Sequence, residues 1–453
     1  MLNRIMLLWV LWILIGFPQS QAASVYLQII TAKTSEQLDQ VMAQLQSGTE
    51  FAELARKISS HPTAENGGVW GPIRLSDLPE AFRERIEKAA EGELLHFSDS
   101  SLGHSIIRKM NPEAARKIAF QFTFDRGAAH LQRNEGEPAL KELKKAVALA
   151  PQSAAAHQLL GQAYLLQGSY EFISEARAEL VQSIALDPNL LWARFYLARI
   201  YLDLNQPRKA KEQLEAALAV RPNVPHLLSL LGEAQRQLGN PDLALDLNRK
   251  ALVADPSFFV AHYYLGLAFL DRKNEDEAIR QLEEAAKPGY PAAEIYLTLG
   301  KVYFQKGQID RALELFQKAV ADAPRQPEGH LRLAQAYRSK GQPESALKEL
   351  SLAVPEGQKL LSNAFYQQLQ AEVFFERGCI YQDKASFTQA IEAYAKALEL
   401  NPSNGPAHRR LAEALLHEGH YERALEQATK AEELKSPVAP AILEKIKAKQ
   451  RPE

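Results

Sequence analysis

Histidine and cysteine are the side chains of this 453-residue chain best suited to metal binding or nucleophilic chemistry. The single cysteine, Cys379, has no second cysteine with which to form an internal disulfide. Five histidines lie far apart along the chain; they are His157, His226, His262, His330 and His408. Their spacing favours separate packing roles over one metal cluster. The sequence has no CxxC, HExxH, GxSxG or glycine-rich phosphate loop, so we expect neither a metal nor a cofactor.

A 34-residue spacing determines how most of the chain is organised. Small residues recur at this spacing, with two longer steps; they are Ala139, Ala176, Ala210, Ala244, Ala278, Ala312, Ala346, Ala390 and Ala424. With its regular aromatic and proline positions, the pattern resembles the tetratricopeptide repeat, a helix–turn–helix unit that stacks into a solenoid. We therefore expect a mainly α fold with about nine repeats over residues 120–436, followed by a capping helix and tail at 437–453.

Residues 24–110 lack this spacing and mix strand and helix signals. The runs Val25–Thr31 and Ser105–Arg108 read as strands, and Ser35–Gln46 and Glu50–Ile58 have helical spacing. The order predicts a small α/β domain in front of the solenoid, joined to it by a short connection at Asn111–Ile118.

Ordered motifs within this segment resemble parvulin-type peptidyl-prolyl isomerases. The matching stretches are Gly48–Ala55, the loop Ser59–Gly71, Glu91–Glu93 and Leu102–Ile107. The resemblance implies that Leu78 and Phe82 form the apolar pocket that holds the substrate proline.

The polar positions of the implied catalytic site differ from the family pattern. The resemblance, with one inserted residue, aligns Gln28 with the usual first-strand histidine, and it aligns Ser105 with the closing histidine. His104 takes a position that is usually aromatic, and His61 one that is usually Cys or Asp. The barrier to X–Pro rotation is about 18–20 kcal/mol, and selective binding of the twisted amide can lower it without a cofactor. The sequence thus leaves open a slow isomerase and a domain that binds without catalysis.

The inner face of such repeats predicts a peptide-binding groove. Carrying over the first-helix positions gives Phe195, Arg199, Leu202, Ser229, Glu233, Arg236, Tyr263, Leu267, Leu270, Leu297, Lys301, Phe304, Leu331, Gln335 and Arg338. These apolar anchors with single charges of both signs suit an extended or helical peptide.

The net charge limits the kinds of partner, and the N-terminal sequence predicts the compartment. A net charge of −2 without a basic run argues against nucleic acid binding. Arg4, the apolar run Ile5–Phe17 and the small residues Ser20 and Ala22 predict a signal peptide at 1–22 and an exported, periplasmic or secreted protein. An uncleaved anchor is the alternative, although 13 apolar residues are short for a span, which takes about 20.

Three functions follow from these features. The first is an exported binding scaffold or chaperone-like adaptor with a degenerate isomerase-like domain. The second is an active prolyl isomerase that recruits proline-containing clients through its repeats. The third is a factor that assembles an envelope complex.

Overall fold

The computed structural model describes residues 24–99, 103–167, 172–287, 292–354 and 364–449. The chain divides into two compact units, Met1–Val220 and Arg221–Glu453. The segment predicted as a signal peptide, 1–22, lies outside the described residues.

The first unit begins with a four-stranded antiparallel sheet in the order β2-β1-β4-β3. Its strands are β1 (Ser24–Ala32), β2 (Val69–Arg74), β3 (Leu94–Asp99) and β4 (Gly103–Met110). Three helices accompany it: α1 (Ser35–Gln46), α2 (Phe51–Ile58) and α3 (Glu80–Lys88). The predicted α/β fold of this segment is confirmed.

The two faces of the sheet carry separate cores because alternate side chains of a strand point to opposite faces. Ile30 and Ile106 pack with Leu38 of α1 and Leu54 of α2, on what we call the α1–α2 face. Leu27, Ile29 and Ile107 pack with Phe82 and Ile86 of α3, on what we call the α3 face.

Residues 111–118 do not form the connection expected from the sequence. Helix α4 runs from Pro112 to Gln132, and the Asn111 side chain caps it by accepting from the Glu113 N–H at 2.9 Å. Ala115 is fully buried beside Tyr26, Val69 and Met110 of the sheet. A proline at the first helical position and an Asn cap favour helix initiation here, so the chain passes from strand β4 directly into the first repeat.

The repeats form antiparallel helix pairs in both units. In the first unit they are α4 with α5 (Gly136–Leu149), α6 (Ala154–Leu166) with α7 (Ile173–Leu186), and α8 (Leu191–Asp203) with α9 (Pro207–Val220). In the second unit they are α10 (Pro225–Gln237) with α11 (Pro241–Ala254), α12 (Phe259–Asp271) with α13 (Glu275–Ala285), α14 (Ala293–Gln305) with α15 (Ile309–Asp322), α16 (Pro327–Ser339) with α17 (Pro343–Ala353), α18 (Ala364–Asp383) with α19 (Phe387–Leu400), and α20 (Gly405–His417) with α21 (Tyr421–Glu433). Helix α22 (Pro440–Lys449) follows the last pair and buries Ile446 against it.

These are nine pairs within the described residues, as the alanine spacing predicts, and the fold is a tetratricopeptide solenoid after a small α/β domain. All nine alanines lie on second helices and are buried. Their small side chains let the two helices of a pair approach closely.

Three of the five dispersed histidines perform one structural role. In each, Nε2 lies 3.0–3.1 Å from the carbonyl oxygen of the proline six residues earlier; the pairs are His157 with Pro151, His330 with Pro324 and His408 with Pro402. Each Nδ1 lies 2.5–2.7 Å from a second-helix side chain, namely Glu179, Glu349 or Gln427. Such a histidine ties its first helix both to the preceding turn and to its own second helix.

No helix of the described residues combines the length and the apolar character needed to cross a membrane. Among the same residues, no three His, Cys, Asp or Glu side chains are grouped so that they could hold a metal ion.

Candidate functional site

Ser105 faces Thr31, and not Gln28, across strands β4 and β1. The register pairs Thr31 with Ser105 and Gln28 with Arg108. The Thr31 and Ser105 hydroxyl oxygens are 2.8 Å apart on the α3 face. Gln28 and His104 lie on the α1–α2 face, because each differs in parity from the residues of the α3 face on its own strand. The structure therefore separates Gln28 and His104 from Ser105.

Gln28 is fully buried and links strand β1 to the loop Ser59–Gly68. Its Nε2 donates to the Gly67 carbonyl at 3.0 Å, and its Oε1 accepts from Nε of Arg108 at 3.0 Å and from Nη2 of the same side chain. Arg108 in turn lies over the Phe51 ring, 4.7 Å from its centroid. These contacts give Gln28 a role in positioning the loop.

His61 projects from this loop toward the α3 face, where its ring centroid lies 5.2 Å from that of Trp70. The Ser59 hydroxyl accepts from the backbone N–H groups of Thr31 and His61 at 3.0 and 3.2 Å, so the loop is attached to strand β1 beside the Thr31–Ser105 pair. The position of His61 is thus fixed by the backbone of the same strand that carries Thr31.

The protonation of His61 follows from its neighbours. The Thr63 N–H donates to Nδ1 at 3.3 Å, and the Thr63 hydroxyl lies 2.8 Å from the same nitrogen. Burial lowers the pKa of His61 below its usual value of 6.5, which favours the neutral ring. With Nδ1 accepting, the proton of the neutral ring is on Nε2, which has no hydrogen-bond partner among the residues described by the structure.

Leu78 and Phe82 belong to the core under the α3 face. Both are nearly inaccessible to solvent, at 4% and 2% exposure, and the Phe82 ring centroid lies 4.4 Å from that of Phe97. Trp70 is partly exposed and packs on the same cluster. The open apolar surface beside His61 is therefore formed by Trp70, with Leu78 and Phe82 supporting it from below.

His104 lies at the start of β4 with Nδ1 3.1 Å from the Ser98 hydroxyl. It is remote in register from Arg108 and Gln28, four residues along the strand. Of the sequence-predicted site residues, the structure thus collects Ser105, Leu78 and Phe82 on the α3 face, with His61 at its edge.

Sequence reasoning missed Thr31 and Trp70 as parts of this site. Trp70 lies inside the glycine-rich loop motif that carries the family resemblance, so the motif itself contained a signal for it. No sequence signal marked Thr31, because only the antiparallel register places it opposite Ser105.

Helix α4 of the first repeat also contacts the His61 loop. Arg126 Nη1 lies 2.5 Å from Glu65 Oε2, and Arg56 Nε donates to the Glu65 carbonyl at 3.4 Å. A cavity of about 500 Å³ lies beside this contact, between α2 and α4, with Ile118 and Phe122 among its lining residues. The first repeat therefore contributes contacts to the loop that carries His61.

The predicted groove positions differ in accessibility. Leu202, Ser229, Glu233, Leu297 and Leu331 are buried in the helix packing. Arg199 is exposed, and the partly exposed positions are Phe195, Arg236, Tyr263, Leu267, Leu270, Lys301, Phe304, Gln335 and Arg338. Only the second group can contact a partner without rearrangement of the helices.

A cavity of about 350 Å³ opens among these positions in the second unit. Its lining residues are Lys301, Phe304, Gln305, Phe316, Arg332 and Gln335, from helices α14, α15 and α16. Glu328 forms an ion pair with each cation, at 2.5 Å from Lys301 and 3.4 Å from Arg332. The cavity is large enough for an apolar side chain and carries no unpaired lysine.

Family models match both parts of the chain. The PPIC-type PPIase domain matches residues 13–111. Tetratricopeptide models match 124–189, 196–257 and 375–439, and also 270–328 and 303–373.

Individual relatives match smaller parts of the chain than the family models do. The chaperone SurA of Photobacterium profundum is 33% identical over 76 residues, which are 17% of this chain and 18% of that protein. The foldase protein PrsA of Geobacillus kaustophilus is 29% identical over 116 residues, or 25% of this chain and 41% of PrsA. The chain thus spans less than half the length of these two relatives.

The solved structure of the APC/C hetero-tetramer Cut9–Hcn1 matches with a TM-score of 0.55 and 18% identity, over 75% of this chain and 64% of that one. At this identity the likeness concerns the fold alone. Together with the family matches, it leads to one assignment: the chain carries a domain of the PPIC-type PPIase family, followed by tetratricopeptide repeats.

Proposed function

We propose that this protein is an exported scaffold or chaperone-like adaptor that captures polypeptide segments on its repeats and presents them to a degenerate isomerase-like domain. The observation that carries this proposal is the partly exposed apolar row of the second unit, formed by Tyr263, Leu267, Leu270 and Phe304, of which Phe304 lines the 350 Å³ cavity. Aromatic and aliphatic anchors next to a pocket are the usual source of affinity for a peptide.

The changed polar residues support the degenerate character of this domain. A histidine pair at the two family positions would need both side chains on one face, whereas Gln28 and Ser105 lie on opposite faces of the sheet. The Thr31–Ser105 hydroxyl pair offers less charge stabilisation than an imidazole pair. The domain retains an apolar surface at Trp70, suited to a proline ring.

A slow isomerase is the second candidate, and His61 favours it. Because Nδ1 accepts from Thr63, the neutral ring carries its proton on Nε2, which can donate to the carbonyl oxygen of a twisted prolyl amide. A donor aimed at the twisted amide, and not at the planar one, lowers the barrier by differential binding. No covalent intermediate or cofactor enters this step.

Peptide binding to the full-length protein tests the proposal. In fluorescence anisotropy with a labelled apolar peptide, the double variant Tyr263→Ala/Phe304→Ala should bind at least about 30-fold more weakly, because a buried anchor contributes about 2 kcal/mol or more. The matched control is Leu243→Ala/Val253→Ala, which removes two apolar side chains that are 44% and 86% exposed on a second helix. Equal affinities of the two folded variants would exclude this face as the binding surface.

A proline-peptide isomerisation assay of the full chain separates the two candidates. A measurable rate that His61→Gln abolishes would support the isomerase, whereas peptide capture without any rate would support the adaptor. Assembly of an envelope complex would instead give one stoichiometric partner after crosslinking and no capture of unfolded clients.

Export rests on the sequence of the first 22 residues. N-terminal sequencing of the mature protein should begin at Ala23, and a retained Met1 in a membrane fraction would contradict cleavage.

A further inference from the structure

Two arginines mark the ends of the apolar row in the second unit, and each is held by two carboxylates. Arg236, near the end of α10, makes a bidentate contact with Glu233 at 2.8 and 2.9 Å. Its Nη1 also donates to Oδ2 of Asp271, the last residue of α12, at 2.9 Å. These carboxylates raise the pKa of Arg236 above its usual value, so its charge is permanent.

The second arginine, Arg338, occupies the equivalent position three 34-residue periods later. Its Nη1 donates to Oε1 of Glu376 at 3.0 Å, and its Nε donates to Oδ2 of Asp383, the last residue of α18, at 2.7 Å. Both clusters therefore consist of one cation, one nearly buried glutamate and one aspartate at the end of a first helix.

Each cluster has one negative charge more than positive charges. The surplus is accessible, because the Asp271 side chain is 41% exposed and that of Asp383 is 52% exposed. Between the clusters, Lys301 and Arg332 are balanced by Glu328 and Glu372. The apolar row and the cavity thus have a neutral middle and an acidic end on each side.

We propose that this face of the second unit binds a polypeptide segment with an apolar centre and a lysine or arginine on each side of it. The inference rests on the proposed peptide capture and specifies the partner's charge. A lysine or arginine of the partner would form an ion pair with the exposed carboxylate of Asp271 or Asp383. An acidic flank would meet like charge, and such complementarity acts mainly on specificity and on the association rate.

Three peptides with one apolar core, flanked on both sides by Lys, Ser or Glu, test the inference on the full-length protein. The Lys-flanked peptide should bind most tightly and the Glu-flanked peptide most weakly. Their dissociation constants should differ about tenfold at low salt, because each of the two partly exposed ion pairs contributes little to the binding free energy. The difference should shrink at 1 M NaCl, where the Debye length is about 3 Å.

Substitution locates the effect. Asp271→Asn/Asp383→Asn should reduce the Lys-to-Glu preference at least about threefold. The control Asp246→Asn/Glu314→Gln removes two charges from exposed positions of second helices and should leave the preference intact.

The outcomes are distinct. Equal binding of the three peptides by the wild type would overturn the charge preference and leave peptide capture standing. Binding of none of them would overturn both. A preference that survives Asp271→Asn/Asp383→Asn would also contradict the proposal.

Discussion

Gln28 is a buried amide whose two polar atoms are both used. The Nε2 group holds the Gly67 carbonyl, and Oε1 receives the Arg108 guanidinium. Because Gln28 is fully buried, the loss of its amide would leave a carbonyl and part of a guanidinium unsatisfied. A buried polar group without its partner costs about 1–3 kcal/mol, and more when it is charged.

We therefore expect Gln28→Met, which keeps the length of the side chain, to lower the free energy of unfolding by about 2–3 kcal/mol. The control Gln40→Met changes the same residue type at an exposed position of α1. Urea unfolding of the full chain, followed by tryptophan fluorescence to which Trp70 of the neighbouring strand contributes, measures the difference. Equal unfolding midpoints for the two variants would show that Gln28 does not brace the loop.

His61 should titrate below its usual pKa of 6.5, because burial disfavours the charged ring. Between the lowered value and 6.5, the unfolded chain binds more protons than the folded one, so stability falls as the pH falls through this window. Above 6.5 both states are neutral and the contribution is constant. NMR of the labelled histidine rings, with the signal assigned by His61→Gln, measures the midpoint; a value at or above 6.5 would contradict the burial argument.

At the scale of the elements, close helix pairing depends on glycine where the facing side chain is large. A Cβ atom on Gly300 of α14 would lie 2.5 Å from Cε1 of Phe316 on α15, a distance that the buried ring cannot accommodate without moving. On Gly329 of α16, the nearest atom would be a Val320 methyl carbon at 3.2 Å.

Gly300→Ala should destabilise the second unit by about 1–3 kcal/mol through overpacking, despite the better helix propensity of alanine. Gly329→Ala makes the same chemical change with less crowding, and its unfolding midpoint should lie well above that of Gly300→Ala. Thermal unfolding by circular dichroism gives both values. A Gly300→Ala protein at least as stable as the wild type would mean that the helices separate at little cost.

The sequence was sufficient for the helix pairs because their period is local and repeated nine times. The alanines and the turns fix where each helix packs and ends, independently of distant residues. The residues of the candidate site could be predicted less accurately than the helix pairs. Side chains alternate faces along a strand, so the single inserted residue allowed in aligning Gln28 decides which face it occupies. Only the pairing of β1 with β4 shows that Thr31, and not Gln28, faces Ser105.

At the scale of the whole molecule, a ladder of ion pairs joins four successive repeat junctions of the second unit. In each junction, a cation just after or near the end of a first helix meets an acid near the start of the preceding second helix; the pairs are Arg272 with Asp242, Lys306 with Asp276, Lys340 with Asp310 and Lys384 with Glu344. The arrangement also suits the helix dipoles, which favour acids at N-termini and cations at C-termini.

One such exposed pair contributes little, but a repeated set can specify the stacking register. The triple variant Arg272→Gln/Lys306→Gln/Lys340→Gln should lower the midpoint of thermal unfolding by about 2–4 °C at low ionic strength. The control Lys250→Gln/Arg325→Gln/Lys348→Gln removes the same charge at exposed positions without an ion pair among the described residues. In 1 M NaCl the Debye length falls to about 3 Å, so the triple variant should then unfold at the wild-type temperature. A deficit that persists in high salt would show that these side chains stabilise the repeats by packing and not by charge.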